Sequence, residues 1–393
     1  MSLEDVVIVA AQRTAIGGFM GQFKDVPAPA LGAAAIRGVL HAADVPHTEV
    51  DEVLMGCCLM AGLGQAPARQ AWLGAGGHVG AGATTLSKMC GSGMKTVMLA
   101  RDLIRAGSAR LVVAGGLENM SRAPHLLPAS RQGQRMGAIP VLDHMLHDGL
   151  TDAYDHQSMG VHAEHMARLH GVTRAEMDAW ALRSVGRARH AVEAGSFVAE
   201  ISPVQVDTRQ GALHILRDET PLQCDPDRIP SLRPAFAPDG TITAASSASI
   251  SDGAAALLLC SAATAADLGL RPLARLLGQA TYAGPPDAFV TAPIAAMRAV
   301  MGQLGWSARD IDLVELNEAF AVVPLLALRE LHLDPERLNV LGGACALGHP
   351  IGATGARILV TLVHALRQRG LQRGMASLCI GGGEATAMAI EAL

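Results

Sequence analysis

Aromatic residues and clusters of charge of one sign are scarce in this sequence of 393 residues. Phenylalanine, tryptophan and tyrosine make up only 3% of it, so the sequence offers no stacking platform for nucleic-acid bases. The formal net charge is −5, and lysine and arginine are spread along the chain without a basic stripe. Both features argue against a nucleic-acid partner, and any anionic ligand must be held by local groups.

Long apolar runs are also missing. A membrane-spanning helix needs roughly 18 apolar residues, and the best candidate, Ala254 to Ala263, is short and interrupted by small polar groups. The first residues, MSLEDVVIVAAQRT, carry acids instead of a basic segment, so we expect no signal peptide. The sequence therefore predicts a cytoplasmic protein without a membrane segment.

The cysteines lack the spacing of a disulfide framework or a zinc site. They are odd in number and include no CxxC pair, which is typical of free thiols in a reducing compartment. The seven are Cys57, Cys58, Cys90, Cys224, Cys260, Cys345 and Cys379. Four histidines raise the alternative of a metal site, but no HExxH spacing occurs among them, and we expect no metal. These are His156, His162, His165 and His170.

Half of the residues are hydrophobic, which is enough to bury a large core in two or three domains. The pattern predicts strands at Val6 to Ala10 and Val53 to Met55, with a helix over Ala28 to Ala43 between them. A further helix is predicted from about Cys90 to Gly107. It is followed by a strand over Leu111 to Ala114 that ends at Gly115 and Gly116.

The same order of elements returns near the C-terminus. The stretch GGACALGHPIGATGAR opens a helix that Gly370 ends, and a strand over Ala376 to Ile380 runs into three glycines. Both halves thus contain a glycine-rich turn, a buried helix and a strand, which indicates a duplicated α/β unit. The segment between them, about 121–250, is richer in charge, His, Met and Pro, and predicts an inserted subdomain. It holds a helix over Arg174 to Ala194 and an irregular stretch, DPDRIPSLRPAF.

Three glycine-rich turns carry the candidate chemistry. Cys90, in KMCGSGM, is predicted at the start of a helix, where unpaired N–H groups and the helix dipole lower a thiol pKa. His349, before Pro350 at another helix start, would be a neutral ring able to act as a base. Cys379, beside the last glycine run, would suit proton transfer.

A purely structural role remains an alternative for each of these residues. A buried cysteine is most often a small hydrophobic filler, and a histidine before proline can be a structural turn residue. The glycine-rich turns also raise a phosphate-binding alternative, but neither GxxxxGKS/T nor GxGxxG occurs.

The motifs resemble those of the thiolases along essentially the whole chain, in family order. They are VVIVAAQRTAIGGF, GQAPARQ, KMCGSGMK, AGGLENMS, LRPAF, SDGAAALLL, LNEAFA, GGACALGHPIGATGAR and CIGGGEA. The resemblance implies an α/β fold with a five-layer αβαβα core made of two similar halves and an inserted loop domain. It divides the chain into an N-terminal half (1–120 plus 251–272), a loop domain for CoA binding and oligomerisation (121–250) and a C-terminal half (273–393).

The resemblance also implies roles for five residues. Cys90 would be the nucleophile that takes an acyl group from acyl-CoA, and His349 would activate it. Cys379 would remove the α-proton of the second acetyl-CoA and return it in thiolysis. Asn317 would hold a water that shares an oxyanion hole with His349, and the N–H groups of Cys90 and Gly381 would form another.

For CoA, the family's contacts map onto a set of mostly apolar residues in or beside the loop domain. They are Leu150, Met159, Leu232, Phe236, Ala244, Ala248, Ala319 and Phe320. Three positions depart from the pattern of short-chain enzymes. Ser158 stands where a histidine is usual, and Ala248 stands in a motif that usually carries a serine. Leu222 comes directly after Asp218-Glu219-Thr220-Pro221, where the family often has an arginine after its DExP pattern.

The resemblance therefore predicts an acyltransferase of fatty-acid metabolism that joins acetyl-CoA to an acyl-CoA through an S-acyl-cysteine and runs the thiolytic reverse. Acetyl-CoA, acyl-CoA and CoA would be its partners, with no cofactor or metal, in a homotetramer or homodimer. A degradative 3-oxoacyl-CoA thiolase of broader chain length is the first alternative. A non-catalytic protein that binds CoA thioesters or lipids is the second.

Overall fold

The computed structural model describes residues 4–133, 135–209 and 211–393 and has a mixed α/β fold. Its strands alternate with helices along most of the chain, as the sequence predicts. The strands are β1 Val6–Arg13, β2 Gly17–Gly18, β3 Glu52–Gly56, β4 Gly82–Leu86, β5 Leu111–Asn119, β6 His125–Leu126, β7 Leu142–Asp143, β8 Val204–Thr208, β9 Gly211–Ile215, β10 Ser251–Ser261, β11 Ala274–Ala283, β12 Leu313–Leu316, β13 Arg373–Ile380 and β14 Glu384–Ala392.

The helices include all four that the sequence predicts. They are α1 Ala28–Ala43, α2 Pro67–Gly74, α3 Ser92–Arg105, α4 Met159–Leu169, α5 Arg174–Glu193, α6 Thr220–Gln223, α7 Ala262–Asp267, α8 Ala292–Leu304, α9 Val322–Leu331, α10 Ala344–Leu347 and α11 Ile351–Arg369. Helix α1 has the predicted bounds. Gly370 ends α11 in the left-handed conformation that glycine adopts most readily.

The large sheet repeats one strand arrangement in two halves. Its order is β12-β13-β14-β11-β1-β10-β5-β3-β4, and the two halves meet where β1 pairs with β11 through Val7–Arg275 and Ile8–Ala274. Outward from this junction, β1, β10, β5 and β3 have the same relative directions as β11, β14, β13 and β12. The structure thus agrees with the predicted duplication. The predicted β1-α1-β3 unit is a crossover between strands that are not neighbours, because β10 and β5 lie between them.

The helices and the two half-sheets form five layers. Helices α3 and α11 pack against each other in the centre, and α11 contacts strands of both halves. Helix α1 packs on strands of the N-terminal half, with α2 beside it, and α8 packs on strands of the C-terminal half. This is the αβαβα arrangement expected from the resemblance, and it places the N-termini of α3 and α11 close together.

Strand β5 departs from the prediction, because it continues through Gly115 and Gly116 to Asn119 instead of ending at the glycines. A β-carbon at Gly115 would lie 2.1 Å from the carbonyl oxygen of Ala255 on the paired strand. One at Gly116 would lie 2.2 Å from the carbonyl oxygen of Gly352 at the start of α11. The two glycines therefore permit a close approach of neighbouring backbone within the strand.

Residues 121–250 contain small elements of their own, including a π-helix over Met145–Leu150, helices α4 and α5, and the hairpin β8-β9. The proline-rich stretch forms a short 3₁₀ helix, Pro226–Ser231, and no strand, as predicted. A buried ion pair network ties this segment to β1: Arg13 contacts Glu200 at 2.5 Å and Asp218 at 2.7 Å, and all three side chains are fully buried. The predicted domain boundaries stay predictions.

No helix within the described residues is long and apolar enough to cross a membrane.

Candidate active site

Cys90 lies in a tight turn before α3. The preceding residue, Met89, has a φ of 46°, a left-handed value that side chains other than glycine rarely adopt. The hydroxyl of Ser92 accepts the backbone N–H of Lys88 at 2.7 Å and donates to the carbonyl of Met89 at 2.6 Å. The turn is therefore fixed by its own hydrogen bonds, and Cys90 lies two residues before the helix instead of in its first turn.

The predicted lowering of the Cys90 pKa is wrong for the free protein. Burial raises the pKa of this thiol to about 11, against the opposing effect of hydrogen bonds from the backbone N–H of Gly381 and from its own N–H. The loss of hydration outweighs these hydrogen bonds, because protein atoms replace much of the water around the sulfur. A separate base must therefore take the proton before Cys90 can attack.

His349 lines the same cavity as Cys90 and is oriented by hydrogen bonds that leave one ring nitrogen unpaired. Its Nδ1 lies 2.6 Å from the hydroxyl oxygen of Thr354, and that hydroxyl donates to the carbonyl of Pro350 at 3.0 Å. Because the hydroxyl proton is used in this way, we infer that Nδ1 carries a proton and donates it, which leaves Nε2 as the basic nitrogen. Nε2 is buried and has no hydrogen-bond partner among the described residues.

The neutral state predicted for His349 agrees with its surroundings, although the main cause differs. Burial first, and the positive charge of Arg357 second, lower its pKa to about 3. Pro350 is the residue before α11 and not its first helical residue.

Cys379 is buried at the end of β13, where the chain enters Gly381 to Gly383. Burial, and secondly the nearby Cys90, raise the pKa of this thiol well above its ordinary value. A thiolate formed there would be a strong base, since it gains a proton so readily.

Three cavities meet at these residues. A small chamber of about 80 Å³ is lined by Cys90, His349, Cys379 and Gly381. A second cavity, apolar and of about 420 Å³, adjoins the chamber at His349, which lines both. A third, of about 360 Å³ and with a more polar lining that includes His156, adjoins the chamber at Gly381. The sequence-predicted nucleophile, base and second thiol therefore face one enclosed space that has two approaches.

Most of the predicted CoA contacts lie at this chamber or at the apolar cavity. Those that line one or both are Leu150, Met159, Phe236, Ala248, Ala319 and Phe320. Leu232 and Ala244 line neither of the two, and Ala244 is exposed. Ser158 also borders the apolar cavity, where its hydroxyl accepts the backbone N–H of Val161 at 3.4 Å and caps α4. Leu222 is 40% exposed.

Asn317 follows β12 and is buried, but it does not line the chamber. Its backbone N–H donates to the carbonyl of Ser377 at 3.0 Å, and its side-chain amide has no hydrogen-bond partner among the described residues. A buried amide without partners is costly, so this side chain suits a polar ligand or a water. Its residue type and position gave no reason to select it before the resemblance was considered.

Two buried glutamates, which sequence reasoning missed, organise the loops around the site. Glu118 accepts backbone N–H groups from Cys58 at 3.0 Å, Leu59 at 3.1 Å and Gly352 at 2.9 Å. It thereby joins the loop after β3 to the start of α11. The only sequence signal for it is its place in the motif AGGLENMS.

Glu318 has the corresponding role beside Asn317. Its carboxylate accepts the indole N–H of Trp180 at 2.9 Å, the hydroxyl of Ser184 at 2.8 Å and the backbone N–H of Cys345 at 3.1 Å. It therefore ties the loop after β12 to α5 and to the short helix before His349.

Outside this site, one group of side chains within the described ranges has the spacing of metal ligands: Asp152, Asp155 and His162. His162 Nε2 lies 3.3 Å from a carboxylate oxygen of Asp155, so the histidine already has a partner. His165 and His170, considered above as metal ligands, do not join this group.

Comparison with known proteins finds matches along nearly the whole chain. The family model "Thiolase, N-terminal domain" matches residues 6–263, and "Thiolase, C-terminal domain" matches residues 270–392. The chain is 48% identical to an acetyl-CoA acetyltransferase of Pseudomonas aeruginosa over 99% of both chains. It is 45% identical to a cytosolic acetyl-CoA acetyltransferase of Mus musculus over 99% of this chain and 98% of the other.

Among solved structures, the crystal structure of the Bacillus anthracis acetyl-CoA acetyltransferase superimposes with a TM-score of 0.96. It is 39% identical in sequence, and the match covers 99% of each chain. The similarity thus extends over the whole fold.

Proposed function

Because the chain belongs to the thiolase family, we propose that it is an acetyl-CoA acetyltransferase, which condenses two acetyl-CoA molecules into acetoacetyl-CoA and CoA and catalyses the reverse thiolysis. The observation that carries the proposal is the shared chamber. Two sulfurs, a neutral imidazole with a free basic nitrogen and a backbone N–H face it together, and an apolar cavity leads into it.

The first half of the reaction acylates Cys90. Nε2 of His349 takes the thiol proton, and the sulfur attacks the carbonyl carbon of acetyl-CoA. The N–H groups of Cys90 and Gly381 would stabilise the oxyanion that forms on the carbonyl oxygen. As the C–S bond to CoA breaks, His349 returns the proton to the departing CoA sulfur, and an S-acetyl-Cys90 thioester remains.

The second half forms the carbon–carbon bond. The Cys379 thiol gives its proton to Nε2 of His349, and the thiolate then removes an α-proton from a second acetyl-CoA. The resulting carbanion attacks the carbonyl carbon of S-acetyl-Cys90. As the bond to the Cys90 sulfur breaks, that sulfur takes the proton back from His349, and acetoacetyl-CoA is released. Asn317, through a water, and His349 would stabilise the enolate oxygen.

Thiolysis of acetoacetyl-CoA by the purified protein tests the proposal. We expect turnover, and incubation with acetyl-CoA should add an acetyl group to the peptide that contains Cys90. Cys90→Ala should abolish both while the far-ultraviolet circular dichroism stays unchanged. A folded wild-type protein with neither turnover nor adduct would instead be a non-catalytic CoA-thioester or lipid-binding member of the family.

A broader chain length is favoured by two observations. Ser158 stands where short-chain enzymes usually have a histidine, and the cavity of about 360 Å³ beside Gly381 offers room beyond the chamber. Rates of thiolysis with acetoacetyl-CoA and with a longer 3-oxoacyl-CoA separate the alternatives. A strong preference for the longer substrate would identify a degradative 3-oxoacyl-CoA thiolase of fatty-acid metabolism.

We further infer a cytoplasmic homotetramer or homodimer with acetyl-CoA, acyl-CoA and CoA as its small-molecule partners and no cofactor. Strand β4 is an edge strand of the sheet, and edge strands commonly pair with another copy. Apolar side chains at Leu127, Ile139 and Val141 are about half exposed, which also suits a partner surface. Light scattering after gel filtration measures the assembly; a monomer would contradict it.

A further inference from the structure

Two turns from opposite halves of the molecule meet at the candidate active site. One carries Cys90 and comes before α3; the other joins β13 to β14 and carries Gly381. The backbone N–H of Gly381 bonds the Cys90 sulfur, so the position of one turn against the other sets the surroundings of the reacting atom.

The apolar contact between the turns is close. A β-carbon at Gly91 would lie 2.3 Å from Cδ1 of Ile380, so glycine lets the backbone of the first turn rest on that side chain. This contact limits how near the turns can come. It provides little resistance to sliding or separation, because dispersion contacts are individually weak and have no direction.

A charged contact joins the turns on their outer side. The ammonium group of Lys88, two residues before Cys90, pairs with the carboxylate of Glu384, five residues after Cys379. The side chains are 21% and 32% exposed, so the pair is partly shielded from solvent. The two residues are 296 positions apart in sequence, and the pair therefore links the N-terminal half to the C-terminal half.

We propose that Lys88 and Glu384 are a pair of positioning residues that hold the turn of Cys90 against the N–H of Gly381. Neither residue touches the chamber, so both act through the groups that do. The kinetic part of the test rests on the proposed thiolase activity; the chemical part does not.

The kinetic test compares K88Q, E384Q and the double variant in thiolysis. We expect each single variant to lower kcat about fivefold, the ratio that corresponds to about 1 kcal/mol, with KM nearly unchanged. The double variant should lose no more than either single variant, because the second substitution removes an interaction that is already broken. Additive losses, or kcat values within about twofold of wild type, would overturn the proposal.

The chemical test measures the rate at which iodoacetamide alkylates Cys90, followed by mass spectrometry of its peptide. Either substitution breaks the pair, so the Cys90 thiolate should lose the N–H of Gly381 in both variants. K88Q and E384Q should therefore each move the pH profile of alkylation to higher pH and slow alkylation at a fixed pH by about threefold, and the double variant should slow it no further. A general loosening of the site would expose the thiol and speed alkylation in both variants; that result, or unchanged rates, would sink the idea.

Alkylation needs no turnover, so it decides the matter even if the wild-type protein has no thiolase activity. The matched control is the exposed pair of Arg298 and Glu330, 3.2 Å apart and remote from the chamber. R298Q and E330Q should leave kcat and Cys90 alkylation at their wild-type values. Melting temperatures within about 4 °C of wild type would show that the variants are folded.

Discussion

The Nδ1 atom of His349 lies 2.6 Å from the hydroxyl oxygen of Thr354, which is in the first turn of α11. The histidine is thus oriented by the helix that it precedes. Because the hydroxyl also donates to the carbonyl of Pro350 at 3.0 Å, the direction of the hydrogen bond fixes which ring nitrogen is basic. Four predictions follow from this arrangement and from the packing around it.

Thr354→Val should lower kcat about tenfold while the fold is retained. The valine has nearly the same shape but cannot accept the Nδ1 proton, so the ring loses its fixed tautomer and orientation. The loss should stay below the roughly 100-fold or more that removal of a general base costs. Thr354→Ser keeps the hydroxyl and should restore most of the rate. Steady-state thiolysis measures both; equal losses in the two variants would contradict the assigned role of the hydroxyl.

His349 should make the protein less stable in mild acid. Its pKa is about 3 when folded and 6.5 ordinarily, so the unfolded chain binds the proton more tightly. The contribution of the neutral His349 ring to the free energy of unfolding is fully present above about pH 6.5 and is lost as the pH falls toward 3. Urea denaturation between pH 7 and pH 4 measures this, with His349→Asn as the comparison. The variant should show a smaller decrease in the free energy of unfolding over that range, and an equal decrease would refute the assignment.

Asp218→Ala should destabilise the protein by about 3 to 5 kcal/mol, because it leaves the fully buried guanidinium of Arg13 short of a partner. Chemical denaturation gives the value. Glu336→Gln is a suitable control, since Glu336 pairs with Arg183 at the surface, and it should cost less than about 1 kcal/mol. Similar losses of stability in both variants would mean that burial of the ion pair does not determine how much its removal destabilises the protein.

Gly116→Ala should displace the start of α11 and lower activity. Its β-carbon would lie 2.2 Å from the carbonyl oxygen of Gly352, and backbone must move to admit it. We expect a loss of about 1 to 3 kcal/mol in stability and a larger proportional loss in kcat. Gly302→Ala, in α8, meets no described atom within 4 Å and should be neutral or stabilising by up to about 1 kcal/mol. Wild-type kcat in Gly116→Ala would refute the expectation.

The sequence pattern predicted helices and strands well where neighbouring residues determine their bounds. Helix α1 has the predicted bounds because its apolar period is clear and Pro27 and Asp44 flank it. The predicted strand ended too early at the glycines of β5, because only their close approach to Ala255 and Gly352, far away in sequence, explains why glycine is needed there. Close approach of distant backbone leaves no local signal.

In the candidate site, too, features set by neighbouring residues could be predicted and features set by distant residues could not. Cys90, His349 and Cys379 could be selected from their turns, and they do face one chamber. The pKa of Cys90 could not be predicted correctly, since the burial that raises it depends on the whole fold. Asn317 required the family resemblance. Glu118 was missed because one of its partners, Gly352, is 234 residues away.

The division of the site between two halves has a consequence for synthesis of the chain. Cys90 belongs to the half that is made first, and N-terminal parts of a protein generally fold first on the ribosome. His349 and Cys379 arrive only with the last part of the other half. A nascent polypeptide therefore carries the thiol without its base, so it cannot consume acyl-CoA until α11 and β13 have docked.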